Sequence, residues 1–232
     1  IGIVVGTADG PLTTVCNFQM DLTEKGNSAG SAFKFPNTVY NAAGGYLSIN
    51  SGVKGYNVTV TNGTQSGLQS VAYAMQILRQ DRAKVMLATG TDENSDVMTE
   101  FYEKLSLLGK DAQEAYVDES GFSLSDGSTS IVIETATSAK ERNADVLAEV
   151  AGFGMAHKSV SFGKLSGSGE GLDEAIKLAC KDAGIELSDI DGIVGFGCGL
   201  LAVDKLELDS YRRVFGEVKP VIAVKNVTGE GR

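Results

Sequence analysis

Short runs of β-branched and aliphatic residues, bounded by glycine, alternate along this chain with stretches whose apolar residues recur at helical spacing. That alternation predicts a layered α/β architecture, because successive strands and helices bury their apolar faces against each other. The strand segments are Ile3–Val5, Val58–Thr61, Val85–Ala88, Ser130–Glu134, Val146–Ala151, Ile190–Gly195 and Val221–Val224. Asn57-Val-Thr-Val-Thr61 alternates polar and apolar residues, whereas Val85-Met-Leu-Ala88 is apolar throughout and reads as a central strand. The helical segments are Val39–Ser51, Ser66–Gln80, Asp96–Leu107, Gly171–Ala183 and Lys205–Phe215, with Gly184 placed for a left-handed C-cap.

Ser66–Gln80 carries the most information. Leu68, Val71, Ala72, Met75 and Leu78 follow helical spacing, and Ala72 and Ala74 let neighbours approach closely. The preceding Val58-Thr-Val-Thr-Asn-Gly-Thr-Gln-Ser-Gly67 reads as strand, sharp turn and helix start. A side chain at such an elbow faces a helix N-terminus, where free N–H groups and the dipole stabilise negative charge. Thr64 is at the bend, either as an acyl-transfer nucleophile or as a helix-capping threonine.

Other glycine-rich stretches are weaker. Phe162-Gly-Lys-Leu-Ser-Gly-Ser-Gly-Glu-Gly171 lacks the Gly-Lys-Ser/Thr ending and preceding strand of a phosphate cradle, and reads as a surface loop leading into a helix. Gly195-Phe-Gly-Cys-Gly199 follows a strand but lacks the full dinucleotide-binding spacing. The charge balance, 20 Lys+Arg against 30 Asp+Glu for a net −10, excludes the basic footprint that nucleic acid requires. No apolar run approaches the roughly 20 residues of a membrane-spanning helix. Cys16, Cys180 and Cys198 are scattered, which argues against a disulfide framework or zinc site and suits a cytoplasmic protein. Asn57, Asn62 and Asn226 begin glycosylation sequons that read as chance matches. The chain opens in an apolar strand and closes in Lys225-Asn-Val-Thr-Gly-Glu-Gly-Arg232, so a fragment of something longer is expected.

The run into the elbow, Phe35-Pro-Asn-Thr-Val-Tyr-Asn-Ala-Ala-Gly-Gly45 with Gly55 and Asn57-Val-Thr-Val60, and the elbow Gly63-Thr-Gln-Ser-Gly-Leu68 resemble the β-ketoacyl-acyl carrier protein synthases. Leu87-Ala-Thr-Gly-Thr-Asp-Glu93, then Asp204, Glu207 and Phe215-Gly216, and finally Lys225 through Gly231 continue the resemblance across the whole chain. It implies a thiolase-like layered fold (α-β-α-β-α), incomplete at both ends, with an N-terminal half over 1–138 and a C-terminal half over 139–232. It also implies that Ser66–Gln80 is a central helix buried between sheets, and it implies no cofactor and no metal.

Carried over residue by residue, the family's site is mostly altered. Thr64 stands where the family has its elbow cysteine. Phe196 stands for the first histidine, Glu230 for the second, and the lysine is retained as Lys225. A thiolate forms near neutral pH at a helix end, whereas a threonine hydroxyl needs a general base. The two histidines donate hydrogen bonds to a thioester carbonyl as malonyl decarboxylates; phenylalanine donates none, and a carboxylate opposes the anion. Loss of one such donor typically costs about a hundredfold in rate. The site reads as degenerate.

Substitutes are available in principle. His157 is the single histidine, either a solvated loop residue or a base for Thr64, and Cys198 is either a packing residue or a displaced thiol. Lys225 and Glu230 are either a buried ion pair, the favoured reading, or both solvated. The resemblance therefore implies a noncatalytic, chain-length-factor-like partner of an active ketosynthase in fatty acid or polyketide biosynthesis. The alternative is an acyltransferase or condensing enzyme rebuilt on Thr64, Lys225 and Glu230, and a lone binding module is a third. The family dimerises through the strand before the elbow, here Asn57–Thr61, so a homodimer or a heterodimer with an active ketosynthase is expected. Acyl carrier protein is a further partner, with Arg79, Arg82 and Lys84, or Lys205, Arg212 and Arg213, as basic candidates for docking.

Overall fold

The glycine-bounded apolar run at the start of the chain is β1 (Gly2–Gly6), buried along its whole length in a computed structural model of the protein. The structure describes residues 1–109, 114–117, 121–158, 167–216 and 219–231. They form two compact units, one of Ile1–Glu100, Ser125–Glu149 and Gly231–Arg232, the other of Phe101–Leu124 and Val150–Glu230.

In the first unit β1 is followed by α1 (Leu12–Lys25), α2 (Ala42–Ser51), β2 (Asn57–Val60), α3 (Ser66–Arg79) and β3 (Val85–Asp92). The chain passes through α4 (Asp96–Lys104) and later adds β4 (Gly127–Glu134) and α5 (Ala136–Glu141). The sheet order is β2-β1-β3-β4; β1 is parallel to both its neighbours and β4 is antiparallel to β3. Asn57-Val-Thr-Val60 is thus an edge strand, and the continuously apolar Val85–Ala88 is internal, as expected of the latter. Val4, Met86 and Ala88 of the sheet meet Ala74, Ile77 and Leu78 of α3 in the core of this unit. Full burial of a side chain such as Met86 contributes about 1.5–3 kcal/mol. At the end of β3, Asp92 accepts the Thr7 hydroxyl (2.6 Å) and the amides of Ala8 (2.9 Å) and Asp9 (3.2 Å), tying down the turn after β1.

Three expectations change. The buried face of α3 is the one against the sheet of its own unit, and Leu68, expected in the apolar stripe, is 79% exposed. The first turn of α3 meets the sheet through the small residues Ser66 and Ser70 instead. Val146–Ala151 forms no strand ladder among the described residues, and Val146 and Leu147 are exposed. Immediately downstream the chain is committed to a helix surface: a Cβ on Gly154 would come 2.0 Å from the Ala175 carbonyl oxygen of α6 (Glu170–Ala183). Finally, α1 was not expected, and it buries no residue, so no apolar stripe marks it in the sequence.

The second unit contains α6, β5 (Ile193–Val194), α7 (Leu201–Phe215), β6 (Val221–Ile222) and the one-turn α8 (Lys225–Thr228). β5 and β6 are parallel and short, and Gly184 caps α6 in the left-handed conformation, φ 70°. Arg213 of α7 reaches Asp173 of α6 at 2.8 Å. Burial and this guanidinium act oppositely on Asp173, and the hydrogen bond to Arg213 prevails, holding its carboxyl below the usual range.

Candidate functional site

The elbow belongs to the first unit, and glycine sets its shape. A Cβ on Gly6 would lie 2.1 Å from the Ser66 carbonyl oxygen, and one on Gly90 would lie 3.2 Å from the Gly67 Cα. The start of α3 therefore rests directly on β1 and β3, which any larger residue would prevent. Ser66 closes the turn. Its hydroxyl accepts the Asn62 amide (2.8 Å) and donates to the Gly63 carbonyl (2.7 Å), with Gly63 at φ 59°. Thr64 is exposed, and its hydroxyl makes no hydrogen bond among the described residues. The N-cap of α3 is Gln65, without a side-chain bond, so the capping reading of Thr64 is corrected. Ser66, two residues on, takes up the Asn62 N–H and the Gly63 carbonyl instead.

The second unit brings Phe196, Lys225 and Glu230 together. Lys225 Nζ is 2.6 Å from Glu230 Oε2 and 3.4 Å from the centroid of the Phe196 ring. The ion pair expected from the sequence is present, with side-chain exposures of 21% and 4% for Lys225 and Glu230. One turn of α8 followed by Gly229, at φ 72° and ψ −177°, reverses the chain so that Glu230 returns onto Lys225. That backbone conformation is essentially confined to glycine. The Glu230 amide then donates to the Ser123 carbonyl at 2.7 Å, fixing its position.

Phe196 is held by two buried acids of α7. Glu207 accepts the amides of Phe196 (2.6 Å) and Gly197 (3.1 Å), and Asp204 accepts those of Cys198 (2.9 Å) and Gly199 (3.1 Å). Four successive N–H groups are thus consumed internally. Tyr116, at φ 70°, donates its amide to Asp204 (2.9 Å) and its hydroxyl to Glu207 (2.7 Å). A Cβ on Gly195 would strike the Tyr116 hydroxyl at 2.1 Å, which explains a glycine there without any dinucleotide. Tyr211 also donates to Glu207 at 2.5 Å. Burial, then the bond to Glu207, pushes both phenols above their ordinary range.

Sequence reasoning noticed Asp204 and Glu207 only as matching positions and missed Tyr116 altogether. Acids spaced i, i+3 on a helix after a glycine-rich loop were a usable signal; Tyr116 offered none, being 88 and 91 residues from its partners. Cys198 is buried, and burial pushes its thiol up to about 12, so it holds its proton at neutral pH. His157 is exposed in the second unit. Of Phe162–Gly171, residues 162–166 lie outside the described residues, and Glu170 and Gly171 open α6. Among the basic docking candidates, Arg213 and Arg212 are paired with Asp173 and Asp209, and Arg82 lies 4.9 Å from the centroid of the Tyr56 ring. Among the described residues no cluster of three metal-ligating side chains occurs, and no helix is long and apolar enough to cross a membrane.

Chemically, the lysine cluster presents an ammonium already neutralised by one carboxylate and stacked on one ring. It holds no nucleophile and no imidazole.

Comparison with known proteins completes the picture. The Beta-ketoacyl synthase, N-terminal domain family model matches residues 1–139, and the Beta-ketoacyl synthase, C-terminal domain model matches 147–231. The 3-oxoacyl-[acyl-carrier-protein] synthase 2 of Vibrio cholerae is 31% identical over 241 residues, covering 99% of this chain and 58% of its own length. Nodulation protein E of Rhizobium sp. is 31% identical over 183 residues, covering 78% of this chain and 45% of its own. In fold, the ishigamide ketosynthase/chain length factor is similar at TM-score 0.88 and 23% identity, covering 99% of this chain and 58% of that one. The type II PKS acyl-carrier protein in complex with its ketosynthase is similar at TM-score 0.92 and 22% identity, covering 99% and 60%. The chain spans a little over half the length of the synthases it matches. With a thiolase-like α/β fold and family matches over both halves, this chain belongs to the β-ketoacyl synthase family.

Proposed function

We propose that this chain is a noncatalytic ketosynthase-like subunit of fatty acid or polyketide biosynthesis, which pairs with an active β-ketoacyl synthase and shapes its acyl tunnel. The observation that carries the reading is the closed Lys225–Glu230–Phe196 cluster. At the family's two histidine positions stand a carboxylate bonded to lysine and a ring stacked on that same lysine, and neither can donate to a developing enolate. Thr64 adds an exposed hydroxyl with no hydrogen-bonding partner among the described residues. The edge position of β2 suits pairing with a second subunit, since an open strand edge needs a cover. The ketosynthase/chain length factor and the carrier-protein complex among the structural relatives make such a partner, and acyl carrier protein, reasonable classes to test.

The test has two arms. The protein is incubated with acyl-carrier thioester and its intact mass is measured; no adduct is expected. It is then co-expressed with a ketosynthase that keeps the cysteine and both histidines, and the assembly is weighed by light scattering. A stable adduct on Thr64 or Cys198 would overturn the reading in favour of a rebuilt acyltransferase. A protein that stays monomeric alone and with the synthase would leave a lone binding module.

A further inference from the structure

We infer that Asn62–Gly63, in the turn between β2 and α3, is a site of spontaneous covalent modification: deamidation through a cyclic imide, ending in aspartate or isoaspartate beside Thr64. Three observations at this turn converge. Asn62 is followed by glycine, and no other asparagine in the chain is. Without a Cβ on Gly63, its amide nitrogen can approach the Asn62 side-chain carbonyl carbon freely. Asn62 is exposed, and its side-chain amide makes no hydrogen bond among the described residues. Neither does the Gly63 N–H, the group that must attack.

Four other asparagines are restrained by side-chain hydrogen bonds. Asn57 donates to the Gly44 carbonyl at 2.9 Å, Asn226 accepts the Ala115 amide at 2.9 Å, and Asn37 accepts the Tyr46 hydroxyl at 2.7 Å. Asn94 accepts the Thr99 hydroxyl at 3.2 Å. At Asn62 the hydrogen bonds run through the main-chain N–H and the Gly63 carbonyl to Ser66, leaving both reacting groups open.

Hydroxide removes the Gly63 amide proton, and the nitrogen bonds to Asn62 Cγ. The Cγ–Nδ2 bond breaks, and the leaving nitrogen takes up protons from water and departs as ammonia. Water then opens the five-membered imide. Opening at Cγ gives aspartate, whereas opening at the main-chain carbonyl gives isoaspartate, with one more methylene in the backbone. The new carboxylate lies just ahead of the α3 N-terminus, whose dipole tolerates negative charge. The extra methylene lengthens the path from β2 to Ser66 and so displaces Thr64. This inference uses only the turn and is independent of the function proposed above.

The test ages the intact folded protein in mildly alkaline and mildly acidic buffer. It is then digested, and each asparagine-containing peptide is followed by liquid chromatography and mass spectrometry. Isoaspartate is counted by methyl transfer from S-adenosylmethionine with an isoaspartyl methyltransferase. The expected result is loss of the amide at Asn62 ahead of every other asparagine, faster in alkali, with methyl incorporation that N62Q abolishes. An Asn62 peptide that stays intact in alkali, or converts no faster than the restrained asparagines, would overturn the inference. So would methyl incorporation undiminished in N62Q.

Discussion

The Lys225 ammonium lies 3.4 Å from the centre of the Phe196 ring while bonded at 2.6 Å to the carboxylate of Glu230. One cation thus meets one oxygen of a buried acid and an aromatic face together. Lys225→Met would remove the Glu230 carboxylate's pairing with lysine. Breaking a buried pair costs about 3–5 kcal/mol, and the partial exposure of Lys225 sets the expectation at the lower end. The double change Lys225→Met with Glu230→Leu should recover most of that loss in denaturant unfolding. Equal losses in the single and double variants would show that the charge is not what matters.

Thr64→Cys places a thiol at the elbow without restoring either histidine. It should become alkylatable, since Thr64 is exposed, yet give no condensed product with malonyl and acyl thioesters. Condensation by this single variant, followed by product analysis, would show that Phe196 and Glu230 do not disable the chemistry.

Gly6→Ala should disturb the elbow, because its Cβ would meet the Ser66 carbonyl oxygen at 2.1 Å. Overpacking of this kind typically costs about 1–3 kcal/mol. Gly45, inside α2, has nothing within 4 Å of a built Cβ. Gly45→Ala should therefore stabilise by about 0.5–1 kcal/mol. Thermal unfolding of the two variants checks the opposite signs.

The phenols of Tyr116 and Tyr211 are raised above the ordinary value of 10.0 by burial and by Glu207. The unfolded state therefore ionises first. Their contribution to stability is complete below the ordinary phenol value and is lost as pH rises beyond it towards the folded values. Alkaline unfolding should accompany phenolate absorbance. Tyr116→Phe should cost about 1–3 kcal/mol near neutral pH by removing a donor to buried Glu207, and it should lessen the alkaline loss.

A partner strand on β2 would use the amides that point away from β1. The Val60 carbonyl receives the Thr7 amide at 3.1 Å, so Val60 faces β1 and the intervening Thr59 faces outward. Thr59→Pro should impair assembly and spare the internal ladder, whereas Val60→Pro should damage the fold itself. Light scattering separates the two, and an unchanged mass for a folded Thr59→Pro protein would argue against pairing at this edge.

Much of this was written in the local sequence. The continuous apolar run Val85–Ala88 marked an internal strand, because two-sided burial follows directly from strand geometry. The pairing of Lys225 with Glu230 was suggested by the family resemblance, in which a lysine stands five residues before the second histidine position. Tertiary structure alone decided the rest. Apolar periodicity marks the face a helix can bury but not what lies opposite, so Leu68 looked like core and is exposed. Tyr116 reaches Asp204 and Glu207 across most of the second unit's sequence span, and Gly6 is glycine because Ser66 lies on it. Such contacts depend on where distant segments cross, and no local pattern of residue types records a crossing.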